Sequence, residues 1–157
     1  MAPKLEARVL QTLQIRPGDR VLEIGTGSGY LTACLSWLSG DVTSIEIYED
    51  FTMAASERLR ERGIDHVTLL TGDAMAGPVA GGPFDVIAVT GALPAATDHF
   101  ERQLKEGGRL FQVTGEGAAA EAQLVTCIRD DVYRRETLFE TALAPLINAT
   151  PPEAFVF

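Results

Sequence analysis

Val21-Leu22-Glu23-Ile24-Gly25-Thr26-Gly27-Ser28-Gly29-Tyr30 decides the fold. Residues 20–24 form a short apolar run that reads as a buried strand. Three alternating glycines follow it at once. Glycine permits positive φ and lets a ligand come close to the backbone. Leu31, Cys34, Leu35 and Leu38 then recur at helical spacing up to Gly40. A strand, a glycine turn and a helix in that order place free helix N–H groups beside a bare loop, which suits a polar or anionic ligand.

The same alternation extends in both directions. Leu5, Val9, Leu10 and Leu13 predict an amphipathic helix over 4–15, closed by the turn Arg16-Pro17-Gly18-Asp19. Residues 42–47 predict a second strand. Residues 50–62 predict a helix with Phe51, Ala54, Ala55 and Leu59 facing inward and Gly63 ending it. Residues 67–70 predict a third strand, followed by a loop over 74–83. Residues 84–90 predict a fourth strand, apolar enough at its centre to be covered on both faces. A helix is expected over 95–105 and a fifth strand over 109–113. Residues 121–129 and 132–140 then read as a hairpin about Asp130-Asp131. Five βα units followed by an antiparallel pair predict a doubly wound α/β sheet, mostly parallel, with an antiparallel C-terminal pair. The 157 residues are expected to form one domain.

Three strand ends carry polar groups suited to a nucleoside. Gly25, Gly27 and Gly29 follow the first strand. Glu46 ends the second, where a carboxylate can accept both hydroxyls of a ribose. Gly72-Asp73 ends the third, where a carboxylate can face the exocyclic amine of adenine. Open α/β sheets bind ligands at these carboxyl ends. The glycine spacing is G-x-G-x-G rather than the G-x-G-x-x-G of dinucleotide sites. That spacing and the terminal hairpin argue against a nicotinamide-dependent oxidoreductase.

Composition narrows the function further. A formal net charge of −9 argues against a protein that holds nucleic acid by neutralising phosphates. No apolar run reaches membrane-span length, and the first residues lack the apolar core of a signal peptide. Cys34 and Cys127 lack metal-ligand spacing and read as reduced core thiols of a cytoplasmic protein. With only His66 and His99 present, no metal site is expected. His66 is expected in solvent, and Trp37 is expected to pack.

Residues 20–33, with their Gly-Thr-Gly-Ser-Gly-Tyr core, resemble the first motif of the protein-L-isoaspartate O-methyltransferases, which use S-adenosyl-L-methionine (SAM). Ser44-Ile45-Glu46, Gly72-Asp73-Ala74, Val89-Thr90-Gly91-Ala92 and residues 104–110 resemble that family's later segments. The resemblance implies a Rossmann-like class I methyltransferase sheet. It also implies a methyl transfer from SAM to the carboxyl of isoaspartyl residues in damaged proteins, leaving S-adenosylhomocysteine (SAH).

By the same resemblance, cofactor contacts are expected from Glu23, Gly25, Thr26, Gly27, Ser28, Gly29, Tyr30, Glu46, Ile47, Asp73, Ala74 and Thr90. Thr90 is placed at the methyl-transfer region, and no catalytic base is named. The family has a further stretch before the helix that starts here near Pro3, so the substrate half of the site is expected to be reduced. Apolar surface left bare in its absence is expected to drive self-association. Gly91 stands where the family usually has alanine. Residues 144–146 are expected to serve mainly as a packed terminus, with a place near the substrate side as the alternative. A module that binds SAM or SAH without isoaspartyl activity, and a methyltransferase for another substrate, remain as alternatives.

Overall fold

A computed structural model describes residues 1–149. Residues 150–157, the end of the expected domain, lie outside the described residues. The elements run α1 (Pro3–Leu13), β1 (Arg20–Ile24), α2 (Tyr30–Ser39), β2 (Asp41–Glu46), α3 (Glu49–Glu61), β3 (Val67–Thr71), β4 (Phe84–Leu93), β5 (Leu104–Thr114), β6 (Glu121–Arg129) and β7 (Val132–Glu140). One seven-stranded sheet has the order β3-β2-β1-β4-β5-β6-β7. Strands β1 to β5 pair in parallel, while β6 pairs antiparallel to β5 and β7 antiparallel to β6. The order reverses at β1, between β2 and β4, and a crevice opens there at the carboxyl ends.

Alternation along each strand sends residues to two separate cores. Val21, Val42, Val86, Ala88, Phe111 and Val113 meet Leu5, Val9 and Leu13 of α1 and Leu31 and Leu35 of α2. Leu22, Ile24, Ile87, Val89 and Leu110 face the other way. Among the described residues that second face is covered without an α-helix, by Ala74 and Val79 of the loop after β3, by Phe100 before β5 and by Leu104 at its start. Phe84, Phe100 and Phe111 are fully buried. Truncating any one to alanine would cost about 3–5 kcal/mol.

The expected helix over 95–105 does not form; a single 3-10 turn, Glu101–Gln103, stands in its place. Anchors to other segments hold this stretch. His99 Nε2 bonds the Ala74 carbonyl at 2.7 Å, and the Gln103 side chain accepts the Val79 N–H at 2.8 Å. Buried Glu101 receives the Arg135 guanidinium from β7 through two nitrogens. Strand β5 begins at Leu104, paired to Phe84, so the chain has no room for further helical turns. Tertiary contacts here override local propensity.

Other expectations are also corrected. Phe51 is half exposed rather than inward, and Trp37 is 80% exposed rather than packed. On α2, Leu31 and Leu35 are buried, but Leu38 is 42% exposed and Cys34 only partly covered. Strand β4 runs to Leu93, three residues beyond the expected end. An irregularity between Ala88 and Ala92 lets it resume pairing with β5.

Candidate functional site

The glycine loop takes its shape from backbone that only glycine adopts readily. Gly25, Gly27 and Gly29 have φ of +95°, +52° and +81°. Gly25 N–H donates to the Ile45 carbonyl, and Gly72 N–H to the Glu46 carbonyl, each at 2.8 Å. The ends of β1, β2 and β3 are thereby knitted into one rim.

A cleft opens on this rim. Gly25, Gly27, Glu46, Ile47, Asp73, Ala74 and Thr90 line it, which brings seven of the expected residues together. Its other walls are Ile24, Ile45, Tyr48, Phe51, Met75, Gly91 and the segment from Ala144 to Ile147. No lysine, arginine or histidine stands among the described lining residues, while two carboxylates do. Such a lining favours a cationic ligand and offers a pyrophosphate no side-chain counter-charge.

Glu46 is buried at the floor. Its Oε2 accepts the Gly27 N–H at 3.0 Å and its Oε1 accepts the Tyr48 N–H at 3.2 Å. Each carboxylate oxygen has two lone pairs, so each can still accept a hydroxyl proton from a vicinal diol. Asp73 accepts the Met75 N–H at Oδ1 and the Asn148 side-chain amide at Oδ2, both at 2.8 Å. Thr90 Oγ1 lies 2.8 Å from the Ile24 carbonyl and 3.0 Å from that of Gly25, so its proton is committed to backbone.

Five expected contact residues do not line the cleft. Glu23 is fully buried beneath it, where its Oε2 accepts the hydroxyls of Thr32 and Ser44. Burial, opposed by those two hydrogen bonds, pushes its carboxyl up to about 7. Thr26 is buried too, its hydroxyl sharing a hydrogen bond with that of Ser44 at 2.6 Å. Ser28 is exposed and accepts the Tyr30 N–H. Gly29 packs near Ala55, and Tyr30 points to solvent at 59% exposure. These residues shape the loop from behind or outside.

The wall formed by residues 144–147 takes in a segment that sequence reasoning placed beside the site only as its lesser reading. The Ala92 N–H donates to the Ala144 carbonyl and the Leu146 N–H to the Ala92 carbonyl, both at 2.8 Å, in a parallel bridge centred on Pro145. The segment therefore packs, as expected, and also closes one side of the cleft. Tyr48 and Phe51 meet edge to face at its mouth, with centroids 5.6 Å apart. Their place just after the acidic strand end was the available signal. Asn148 gave none.

The family described as Protein-L-isoaspartate(D-aspartate) O-methyltransferase matches residues 1–150. The chain belongs to this family. A protein-L-isoaspartate O-methyltransferase from Yersinia enterocolitica is 38% identical over 148 residues, covering 93% of this chain and 69% of the relative. A solved protein-L-isoaspartate O-methyltransferase superposes with a TM-score of 0.80 at 30% identity, over 91% of this chain and 46% of its own. A putative protein-L-isoaspartate O-methyltransferase from Plasmodium falciparum, solved with SAH, has a TM-score of 0.80 at 22% identity and shows the shared fold, over 92% of this chain and 74% of its own. The chain thus spans about two thirds of its curated relative and less than half of the first structure's chain. Its sheet is that of the class I SAM-dependent methyltransferases. The residues of the cleft fit the donor: a bare glycine floor, a carboxylate with open lone pairs at the second strand end, and a negative lining for a sulfonium cation.

Proposed function

We propose that this chain transfers the methyl group of SAM to the side-chain carboxyl of isoaspartyl residues in damaged proteins, with the donor seated in the cleft at the ends of β1 to β4. The observation that carries the reading is the convergence of Gly25, Gly27, Glu46, Asp73 and Thr90 on one cavity. Gly25 and Gly27 admit the methionine portion, Glu46 holds the ribose and Asp73 the adenine. Ile47 and Ala74 flank the nucleoside. SAM supplies an activated methyl on a sulfonium, and the chain's residues supply position.

The acceptor carboxylate is ionised near neutral pH, so the displacement needs no general base. That agrees with a cleft whose Thr90 hydroxyl is bonded to backbone and whose two carboxylates are held by N–H donors. Holding the carboxylate in line with the methyl can by itself supply several kcal/mol of the barrier reduction. Thr90 acts by shaping the floor under that line.

The same reading makes the protein a cytoplasmic repair enzyme acting on protein or peptide chains and not on nucleic acid, consistent with its charge of −9. Among the described residues no helix is long and apolar enough to cross a membrane. Tyr30, Trp37 and Leu38 leave apolar surface on the outer side of α2, which supports self-association; sedimentation showing one monomer across micromolar concentrations would end that part.

Calorimetry with SAH, followed by methyl transfer to an isoaspartyl peptide, tests the whole. Binding with transfer is the expected result. Binding without transfer on any isoaspartyl peptide would leave a cofactor-binding protein or a methyltransferase for another substrate. Failure to bind SAH would overturn the site.

A further inference from the structure

We propose that Asn148 is a positioning residue that aims the Asp73 carboxylate and so sets the preference for a 6-amino over a 6-oxo purine in the donor. The proposal rests on the reading of Asp73 as the adenine partner. Asp73 is tied at both oxygens: the Met75 N–H holds Oδ1 and the Asn148 amide holds Oδ2, each at 2.8 Å. A carboxylate bonded at one oxygen can turn about its last torsion, whereas one bonded at both is fixed in plane. Oδ2 keeps one lone pair free, directed by the plane that Asn148 sets.

Adenine presents an N–H donor at position 6. A 6-oxo purine presents an acceptor there and carries its donor at the neighbouring ring nitrogen. A pinned carboxylate meets the first and repels the second. A released one can swing to the ring N–H and accept the wrong base. Leaving a site's polar group facing a like group is the effective way to reject a near-isostere.

The residue type at 148 answers two demands. Its φ is +62°, in the left-handed region, where asparagine is among the few tolerated side chains. Its amide also supplies a donor, which aspartate would replace with a repelling charge. The segment that brings it there is fixed at Ala92 through Ala144 and Leu146, so Asn148 is the second anchor of a strap crossing from β4 to the loop after β3.

Two variants separate aiming from folding. Asn148→Gly keeps the left-handed backbone and removes the amide; Asn148→Asp keeps the shape and reverses the donor. Binding of SAH and of its deaminated analogue, S-inosylhomocysteine, is measured by calorimetry for each, with thermal melting to confirm folding. In both variants SAH binding is expected to weaken about three- to tenfold, more in Asn148→Asp, while the ratio of SAH to inosyl affinity falls by a similar factor. Unchanged affinities, or equal weakening for both purines with the ratio intact, would overturn the aiming role while leaving the cofactor site standing. Failure of the unmodified protein to bind SAH would instead overturn the site reading on which the proposal rests.

Discussion

Thr90 Oγ1 stands where a side chain on Gly25 would have to go: a Cβ built there falls 2.3 Å from it. The same oxygen bonds the carbonyls of Ile24 and Gly25. The floor of the cleft is thus a glycine just past β1 and a threonine on the neighbouring β4, fitted to each other.

Gly25→Ala therefore meets two obstacles, the overlap and a φ of +95°. Stability is expected to fall by about 1–3 kcal/mol, and SAH binding by more than about a hundredfold. Thr90→Val keeps the volume and loses the hydroxyl. It is expected to cost about 1 kcal/mol of stability and to weaken SAH only a few-fold. Denaturant melts and calorimetry on the pair check both. If Thr90→Val abolished methyl transfer with SAH binding intact, the hydroxyl would have a direct part in the reaction.

Glu46→Gln places an amide donor against one of two backbone N–H groups, Gly27 or Tyr48, that its carboxylate now accepts. SAH affinity is expected to drop about tenfold or more. Equal SAH affinity in Glu46→Gln and the parent would remove Glu46 from the ribose role.

Glu23 predicts a pH dependence of stability. Burial raises its carboxyl from the ordinary 4.5 to about 7, so between those values the folded chain binds a proton that the unfolded chain releases. Its contribution is then a penalty that grows as pH rises from about 4.5 to 7 and levels off above, reaching about 3 kcal/mol. Urea melts from pH 5 to 8 are expected to show this decline. In Glu23→Gln the slope is expected to flatten, with the gain concentrated above pH 7. A slope unchanged by the substitution would assign the effect elsewhere.

Gly91→Ala tests the strap. A Cβ at Gly91 would stand 3.0 Å from Leu146 Cα and 3.1 Å from its Cβ, so Leu146 must yield by a few tenths of an ångström. The backbone at Gly91 is not left-handed, so the cost falls on this contact. SAH binding is expected to weaken about threefold, with little loss of stability. Unchanged binding would show that the wall tolerates the shift.

The strands and the glycine loop were legible in the sequence because strong local rules set them. Val21 to Ile24 form an apolar run closed by residues that need positive φ, and the hairpin strands fell at 121–129 and 132–140 as read. The segment 95–105 misled, because its helical composition is overruled by distant partners at Ala74, Val79 and Arg135. Glu23, Thr26 and Tyr30 belong to the motif yet face away from the cleft. A motif records which residues occur together, not which side of the loop each serves. Leu146 was read mainly as a packed end and Asn148 was illegible as a site residue, since nothing local distinguishes a packed end from a wall.

The strap also fixes the order in which a growing chain acquires its pocket. Gly25, Glu46 and Asp73 are synthesised early and can assemble with the parallel strands. The opposing wall, from Ala144 to Ile147, follows both antiparallel strands and so emerges from the ribosome after them. A message broken just after β7 would still encode all seven described strands and the glycine loop, Glu46 and Asp73, yet its product would present an open trough.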